Sequence, residues 1–548
     1  MAAQEIAARE IEAGRDEAAL DALIIGAGFS GLYLIHLLRG AGFRVLALEA
    51  GADVGGTWYW NRYPGARCDV ESLQYSFSFS PELERDWRWQ ERYAAQPEIL
   101  AYARFVAQRF DLYRDILFNR RLARAAFIPE RKLWAAETEE GERFTARFLI
   151  MASGCLSLPN LPALPGLEDF AGRVFHTGRW PHQGVEFHGR RVGVIGTGSS
   201  AIQSIPVIAR EAASVSVFQR TPNYSVPAHN RPLGEEDYAA WFAARDHIRA
   251  AAKATRNGIY CEFATDSALE ADEAERRRRY EARWAAGGLP FMAAFRDLLL
   301  DERANETAAE FVRNKIRSLV RDPETAQALA PRGYPIGTKR LCVDTGYYET
   351  YNLPHVRLYD LRRRPLARIA KKGVMLGDGT FVPLDDLVLA TGFDAMTGAI
   401  MAVDITNGRG LSLREHWRDG PRTYLGLTVA GFPNLFLVTG PGSPSVLSNM
   451  MVSIEQHAEW IRDCLVALRR EGAAGIEATA EAEEGWTSHV AEVGARTLYP
   501  RANSWYMGAN VEGKPRLFMP YIGGVGVYRE ICDAVAREAY RGFDRLVP

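Results

Sequence analysis

Cysteine is scarce in this chain and never paired: Cys68, Cys155, Cys261, Cys342, Cys464 and Cys532 are scattered through 548 residues with no C-x-x-C spacing. That pattern excludes a disulfide framework, a zinc site and a redox-active dithiol. An excess of charge is equally absent, since 66 Lys+Arg stand against 68 Asp+Glu for a formal net charge of -2. Nothing in such a balance would draw in nucleic acid, and small neutral molecules are the expected partners. Long apolar runs are also missing: Leu23 to Leu38 is broken by Gly26, Gly28, Ser30, Gly31 and His36, which suits a buried strand entering a helix rather than a membrane span. The leading segment, Met1 to Ala19, mixes Ala with Glu and Arg and has no apolar h-region. It is not read as a signal peptide, and a cytoplasmic location is expected.

What the chain does have is length and a repeated glycine pattern. Its 548 residues exceed one ordinary core, so two or three subdomains are expected. Ala22 to Ile25 form an apolar strand, three glycines follow, Leu32, Ile35 and Leu38 recur at helical spacing, and Val45 to Leu48 make a second strand: a βαβ unit. Arg191 to Phe218 repeat it, with Val192 to Ile195 as strand, Ser199 to Arg210 as helix and Val215 to Phe218 as the next strand. The expected fold is therefore α/β, with two Rossmann-like dinucleotide-binding domains. Residues 235–327 are charge-rich and Ala-rich and read as a helical insertion, with Glu273 to Arg283 as a solvated helix face. The turns Ala152-Ser153-Gly154 and Ala390 to Asp394, each after an apolar strand, mark where the chain crosses between the nucleotide domains. Gly485 to Pro515 lacks periodicity and reads as a loop.

Gly26-Ala27-Gly28-Phe29-Ser30-Gly31 fits G-x-G-x-x-G between a strand and a helix. The first glycine permits the tight turn, the second lets a pyrophosphate approach the backbone, and the third allows close packing. Glu49 stands 18 residues past Gly31, where a carboxylate accepts ribose hydroxyls. In Gly196-Thr197-Gly198-Ser199-Ser200-Ala201 the pattern returns, but 19 residues on the acid is replaced by Arg220, followed by Thr221. A cation there suits a 2′-phosphate and favours NADPH; an arginine capping the strand is the structural alternative. Two ribose readers of different chemistry point to a flavin and a pyridine nucleotide, with hydride passing between them.

Phe170 to Pro181 then matches F-x-G-x-x-x-H-x-x-x-W-P through Phe170, Gly172, His176 and Trp180. With Gly55 to Asp69 and Gly337 to Arg340, this resembles the type I Baeyer–Villiger monooxygenases, the phenylacetone, cyclohexanone and cyclopentadecanone monooxygenase-like group. The resemblance runs from about residue 20 to the C-terminus. It implies FAD and NADPH as cofactors and conversion of a ketone with O2 into an ester or lactone through a flavin C4a-peroxide. A heteroatom (N- or S-) flavin monooxygenase is the alternative, against which Trp180 speaks, since those relatives carry Phe or Tyr there. A flavoprotein that binds nucleotides without oxygenating is a further rival. The resemblance assigns FAD to residues 1–155 and 385–548 and NADPH to 156–234 and 328–384. It makes Arg340 the cation beside the flavin and Asp69 the carboxylate that orients it, a structural salt bridge being the plainer reading of the pair. Gly56, Thr57, Trp58 and Tyr75 fall where the family meets the flavin, although Trp58 and Tyr75 also suit ordinary core aromatics. Gln203, Lys339 and Trp505 fall where it meets NADPH. His176 has two readings, a satisfied core imidazole and a linker between domain positions. Gly440 to Asn449 corresponds to the wall of the ketone pocket.

Overall fold

The computed structural model describes residues 19–547, so the reading of the leading segment up to Ala18 lies outside the described residues. The first sheet has eight strands. Arg143–Met151, Leu20–Ile25, Val45–Glu49 and Ile116–Phe118 run parallel side by side. Arg143–Met151 is long enough to pair over its first half with the antiparallel strand Leu133–Thr138 and over its second half with Leu435–Leu437. Leu122–Ile128 and Asp404–Thr406 complete the edge. Because successive side chains of a strand point to opposite faces, Leu20–Ile25 serves two cores. Ala22 and Ile24 pack with Leu32, Ile35 and Ala458 on one face, and Leu23 and Ile25 with Leu149, Val429 and Leu437 on the other. Burial on both faces explains why the strand reads as one continuous apolar run.

The second sheet is parallel, in the order Val356–Asp360, Ser214–Gln219, Arg191–Ile195, Asp386–Leu389, Arg173–His176. This corrects the boundary expected at residue 385. Asp386–Leu389 belongs to the second sheet, and the chain leaves that sheet only afterwards. The cause is electrostatic as well as apolar: the fully buried Asp386 carboxylate takes bidentate pairs from Arg173 and Arg190, at 2.7 and 2.5 Å, which makes this strand costly to remove from its neighbours. The two crossings run side by side, with Asn160 N–H donating to Gly392 O at 2.9 Å and Asp394 N–H to Leu158 O at 2.8 Å.

The insertion is helical as expected, with helices Glu235–Ala254, Glu273–Ala286, Glu302–Leu319 and Pro323–Leu329. It is divided between the two bodies. On Glu235–Ala254, Trp241 and Arg245 bond to the buried Glu84, and Arg249 donates to Leu73 O and Ser76 Oγ, all on the first-sheet side. On Glu302–Leu319, Ala308, Val312 and Ile316 enter the core of the second sheet with Val192 and Val215. In Glu273–Ala286 only Tyr280 is buried, so the charge cluster is a solvated face. The segment read as a loop from Gly485 is corrected in its first part, which belongs to helix Ala480–Ala495 with Trp486 and Val490 buried. Gly485 and Gly494 disguise it; at Gly494 the missing side chain admits the Phe518 ring to within 2.9 Å of where a Cβ would stand. Among the described residues no helix is long and apolar enough to cross a membrane.

Candidate active site

One cavity of about 1520 Å³ joins the carboxyl ends of both sheets. Its floor is the first glycine-rich turn. Gly26 has φ +108°, and a Cβ there would lie 2.7 Å from Ala152 O. A Cβ on Gly56 would lie 2.9 Å from Gly28 Cα, so two turns made of backbone approach each other with no side chain between them and the cavity. Helix Phe29–Gly40 opens there with no capping side chain and no acidic residue in its first turn, leaving amides and a positive dipole end for an anion. Glu49 closes the floor. It is 4 % exposed, and its two oxygens accept the N–H groups of Ala27 and Gly51, each at 2.7 Å, keeping lone pairs for further donors. Trp58 and Tyr75 line the same space, Trp58 Nε1 donating to Tyr75 Oη at 3.1 Å.

The second turn faces the same cavity. Gly198 precedes helix Ser199–Ile208, again uncapped by any side chain and without acid in the first turn. Thr197 Oγ1 donates to Thr221 O at 2.7 Å and ties the turn to the end of the neighbouring strand. Arg220 and Lys339 converge beside it, and neither has a carboxylate within ion-pair distance among the described residues. Burial, and then the charge of Arg220, push the Lys339 ammonium below its ordinary pKa. Lys339 Nζ rests 4.6 Å from the centre of the Tyr334 ring, which holds it in place.

Between the turns stands the pair singled out in the sequence. Arg340 Nε and Nη2 donate to Asp69 Oδ2 and Oδ1, both at 2.8 Å, a bidentate fork, and Nη1 donates to Val446 O at 2.9 Å. The side chains are 21 % and 24 % exposed, and both residues line the cavity. Burial discourages charge on the guanidinium, but Asp69 outweighs it and raises the Arg340 pKa above its ordinary value. The arginine is a fixed cation with its plane set by protein.

Every cofactor-binding candidate from the sequence lines this cavity except Gly31 and Ala201, which pack beneath it; a Cβ on Gly31 would lie 1.9 Å from Gly26 O. Gln203 reaches the cavity wall with its amide already engaged, accepting from Tyr63 Oη at 2.8 Å and donating to Arg67 O at 3.1 Å, so it ties helix to loop. Of the fingerprint Trp180 and the terminal Pro181 reach the cavity. Gly172 admits Asp385 O, Phe170 packs in the second-sheet core, and His176 is 6 % exposed. His176 Nδ1 accepts from Gly178 N–H at 2.9 Å and Nε2 meets Thr391 Oγ1 at 3.1 Å, which joins the strand end to the crossing and requires a neutral ring. Of Gly440 to Asn449, Val446 and Ser448 form wall. Two contributors escape sequence reading: the Val446 carbonyl, because backbone leaves no mark on residue type, and Tyr506, a buried aromatic 4.1 Å from the Trp505 ring and close enough to Arg340 to feel its charge.

Burial holds the His176 pKa below 6.5. As pH falls through 6.5 the unfolded chain therefore binds a proton that the folded chain resists; the ring's contribution to stability is present above that value and lost below it. The melting temperature should drop as pH falls below 6.5, and drop less in His176→Gln. An equal drop in both proteins would remove the assignment of a neutral, doubly bonded ring.

A family model described as an NAD(P)-binding Rossmann-like domain matches residues 24–88. The chain is 40 % identical over 527 residues to the acetone monooxygenase (methyl acetate-forming) of Gordonia sp. (strain TY-5), spanning 96 % of this chain and 98 % of the relative. It is 40 % identical over 531 residues to the phenazine N-monooxygenase of Lysobacter antibioticus, spanning 96 % and 97 %. The solved structure of an oxidised steroid monooxygenase bound to NADP superimposes with a TM-score of 0.93 at 50 % identity, covering 97 % of this chain and 100 % of the other.

Proposed function

Because this chain belongs to the FAD- and NADPH-dependent Baeyer–Villiger monooxygenases, which turn ketones into esters or lactones, we propose that Arg340 and Asp69 are its catalytic pair. The observation that carries this reading is the bidentate pair facing a cavity shared by two glycine-rich turns. The turn at Gly26 to Gly31, with Gly56, Thr57 and Glu49, holds FAD, and the turn at Gly196 to Ser200, with Arg220, Thr221 and Lys339, holds NADPH. The bare backbone cradle and the two unpaired cations suit those groups.

When bound, FAD supplies electron-accepting and oxygen-activating chemistry and NADPH supplies hydride. The chain supplies geometry and field. Arg340 keeps its charge whatever the working pH and so stabilises negative charge that develops on oxygen beside it. Asp69 sets the plane of the guanidinium through two parallel bonds, and the Val446 carbonyl fixes its remaining edge. Trp505, at the wall, screens the cavity from water. O2 is the co-substrate, a balanced net charge gives nucleic acid no role, and six free cysteines suit a reducing, cytoplasmic setting.

By likeness to the steroid monooxygenase at 50 % identity, ketones of steroid size are expected ahead of acetone. The N-oxygenating relative supports the heteroatom alternative as a second reading. A panel of steroid, cycloalkyl, short linear ketones, sulfides and N-heteroaromatics, followed by NADPH consumption and product mass, tests both. Esters or lactones from the ketones alone are expected; oxygenation confined to sulfur or nitrogen would overturn the ketone reading.

A further inference from the structure

Behind the guanidinium, two non-glycine residues adopt left-handed backbone that their side chains disfavour: Thr439 at φ +56° and Ser445 at φ +41°. For the β-branched Thr439 the penalty is steric and persists only where neighbours hold the conformation. Both are buried, at 2 % and 0 % exposure, and both are held. Thr439 N–H donates to His457 Nδ1 at 2.9 Å. Ser445 Oγ donates back to Thr439 O at 3.1 Å. The next carbonyl along, that of Val446, accepts from Arg340 Nη1 at 2.9 Å. Three hydrogen bonds in series thus connect a fully buried imidazole on helix Met450–Glu471 to the guanidinium in the cavity.

The imidazole is a poor choice for packing alone. Since Nδ1 accepts, the ring proton sits on Nε2, which finds no partner among the described residues, and an unsatisfied buried donor is destabilising. An apolar side chain of the same shape would avoid that penalty but would leave Thr439 N–H unheld. Burial, and then the nearby Arg529, push the ring down to about 3, so its acceptor is present throughout the working range. The feature that distinguishes histidine here is the acceptor, and what the acceptor holds is the joint between strand Leu435–Leu437 and the wall that carries Val446.

We propose that His457 is a positioning residue for oxygenation: by fixing Thr439, and through it Ser445, it sets the Val446 carbonyl that orients Arg340. This rests on the reading of Arg340 as the catalytic cation. It assigns His457 no contact with cofactor or substrate, so binding of NADPH and reduction of the flavin do not depend on it. What depends on it is the fraction of NADPH consumption that ends in ester.

The holoenzyme variants H457F and H457N separate acceptor from packing. H457F keeps a ring of similar volume and removes the acceptor; H457N keeps an acceptor near the Nδ1 position. In H457F the ester formed per NADPH consumed should fall by about fivefold or more, the scale of one lost hydrogen bond, with anaerobic reduction by NADPH and FAD content unchanged. H457N should recover most of the coupling. Coupling in H457F within about twofold of the parent, or equal losses in both variants, would overturn the proposal. If H457F gives no folded holoenzyme, Ser445→Ala breaks the same series one bond further on; unchanged coupling there overturns it as well. Arg340→Ala, measured alongside, keeps the two ideas apart: if it retains oxygenation, the catalytic reading fails, whereas its loss beside a normal H457F defeats only the role of His457.

Discussion

Arg340→Ala should still accept electrons from NADPH yet convert almost no ketone. Reduction asks for two nucleotides brought together, and the turns at Gly26 and Gly196, with Arg220 and Lys339, are untouched by this change. Oxygenation asks in addition for a fixed cation where negative charge grows on oxygen, and Arg340 is the cation that faces the cavity between those turns. Loss of one such preorganised donor typically costs about 2.7–4 kcal/mol, roughly a hundred- to a thousandfold in rate. The variant also leaves the Asp69 carboxylate facing the cavity with neither of its two arginine bonds. Asp69→Ala should show the same split more mildly, since the charge remains and only its orientation is loosened. Stopped-flow absorbance under nitrogen reads the reductive half, and ester formation in air reads the other. Ketone turnover at the parent rate in Arg340→Ala would move the catalytic role elsewhere.

The second large effect is expected at Arg220. Its replacement by alanine should raise KM for NADPH while leaving KM for NADH nearly unchanged, because only the 2′-phosphate distinguishes the two. A charged hydrogen bond is worth about 1.5–3 kcal/mol, and the exposed position of Arg220 places the loss toward the lower end, near tenfold. Lys339 lies close enough for its own charge to be disfavoured by Arg220, so in the variant it retains part of the site. Arg220→Ala combined with Lys339→Ala should then lose more than either alone. An unchanged ratio of NADPH to NADH efficiency in Arg220→Ala would show that this pair does not read the phosphate.

The parts of the molecule that could be read from sequence are those where chemistry restricts residue type. Gly26 and Gly56 are written into the chain because no other residue fits where two backbones meet, and Arg220 stands out because it replaces an acid at a fixed distance from a turn. The misread parts are those decided by partners far away. Leu387-Val388-Leu389 carries no sign of which sheet it joins; that is settled by the buried Asp386 and its arginines 213 and 196 positions away. Helix Ala480–Ala495 hides behind two glycines, one of which exists to admit Phe518. Gln203 is read from the resemblance as meeting NADPH, but the sequence does not show that Tyr63 and Arg67 already occupy its amide.

The division of the insertion bears on how this enzyme could be recombined with its relatives. A cassette cut at residues 234 and 328 would carry off helix Glu235–Ala254 along with Glu302–Leu319, the helix that packs in the core of the second sheet. In the chain left behind, Glu84 would lose its bonds to Trp241 and Arg245 and remain as a buried carboxylate stripped of partners, while the departing helix would expose the face that had covered it. A graft that leaves this helix with the first sheet and joins after Ile259, where Asn449 N–H meets Asn257 O, severs none of those bonds. Chimeras made at the two junctions should therefore differ in solubility before they differ in cofactor preference.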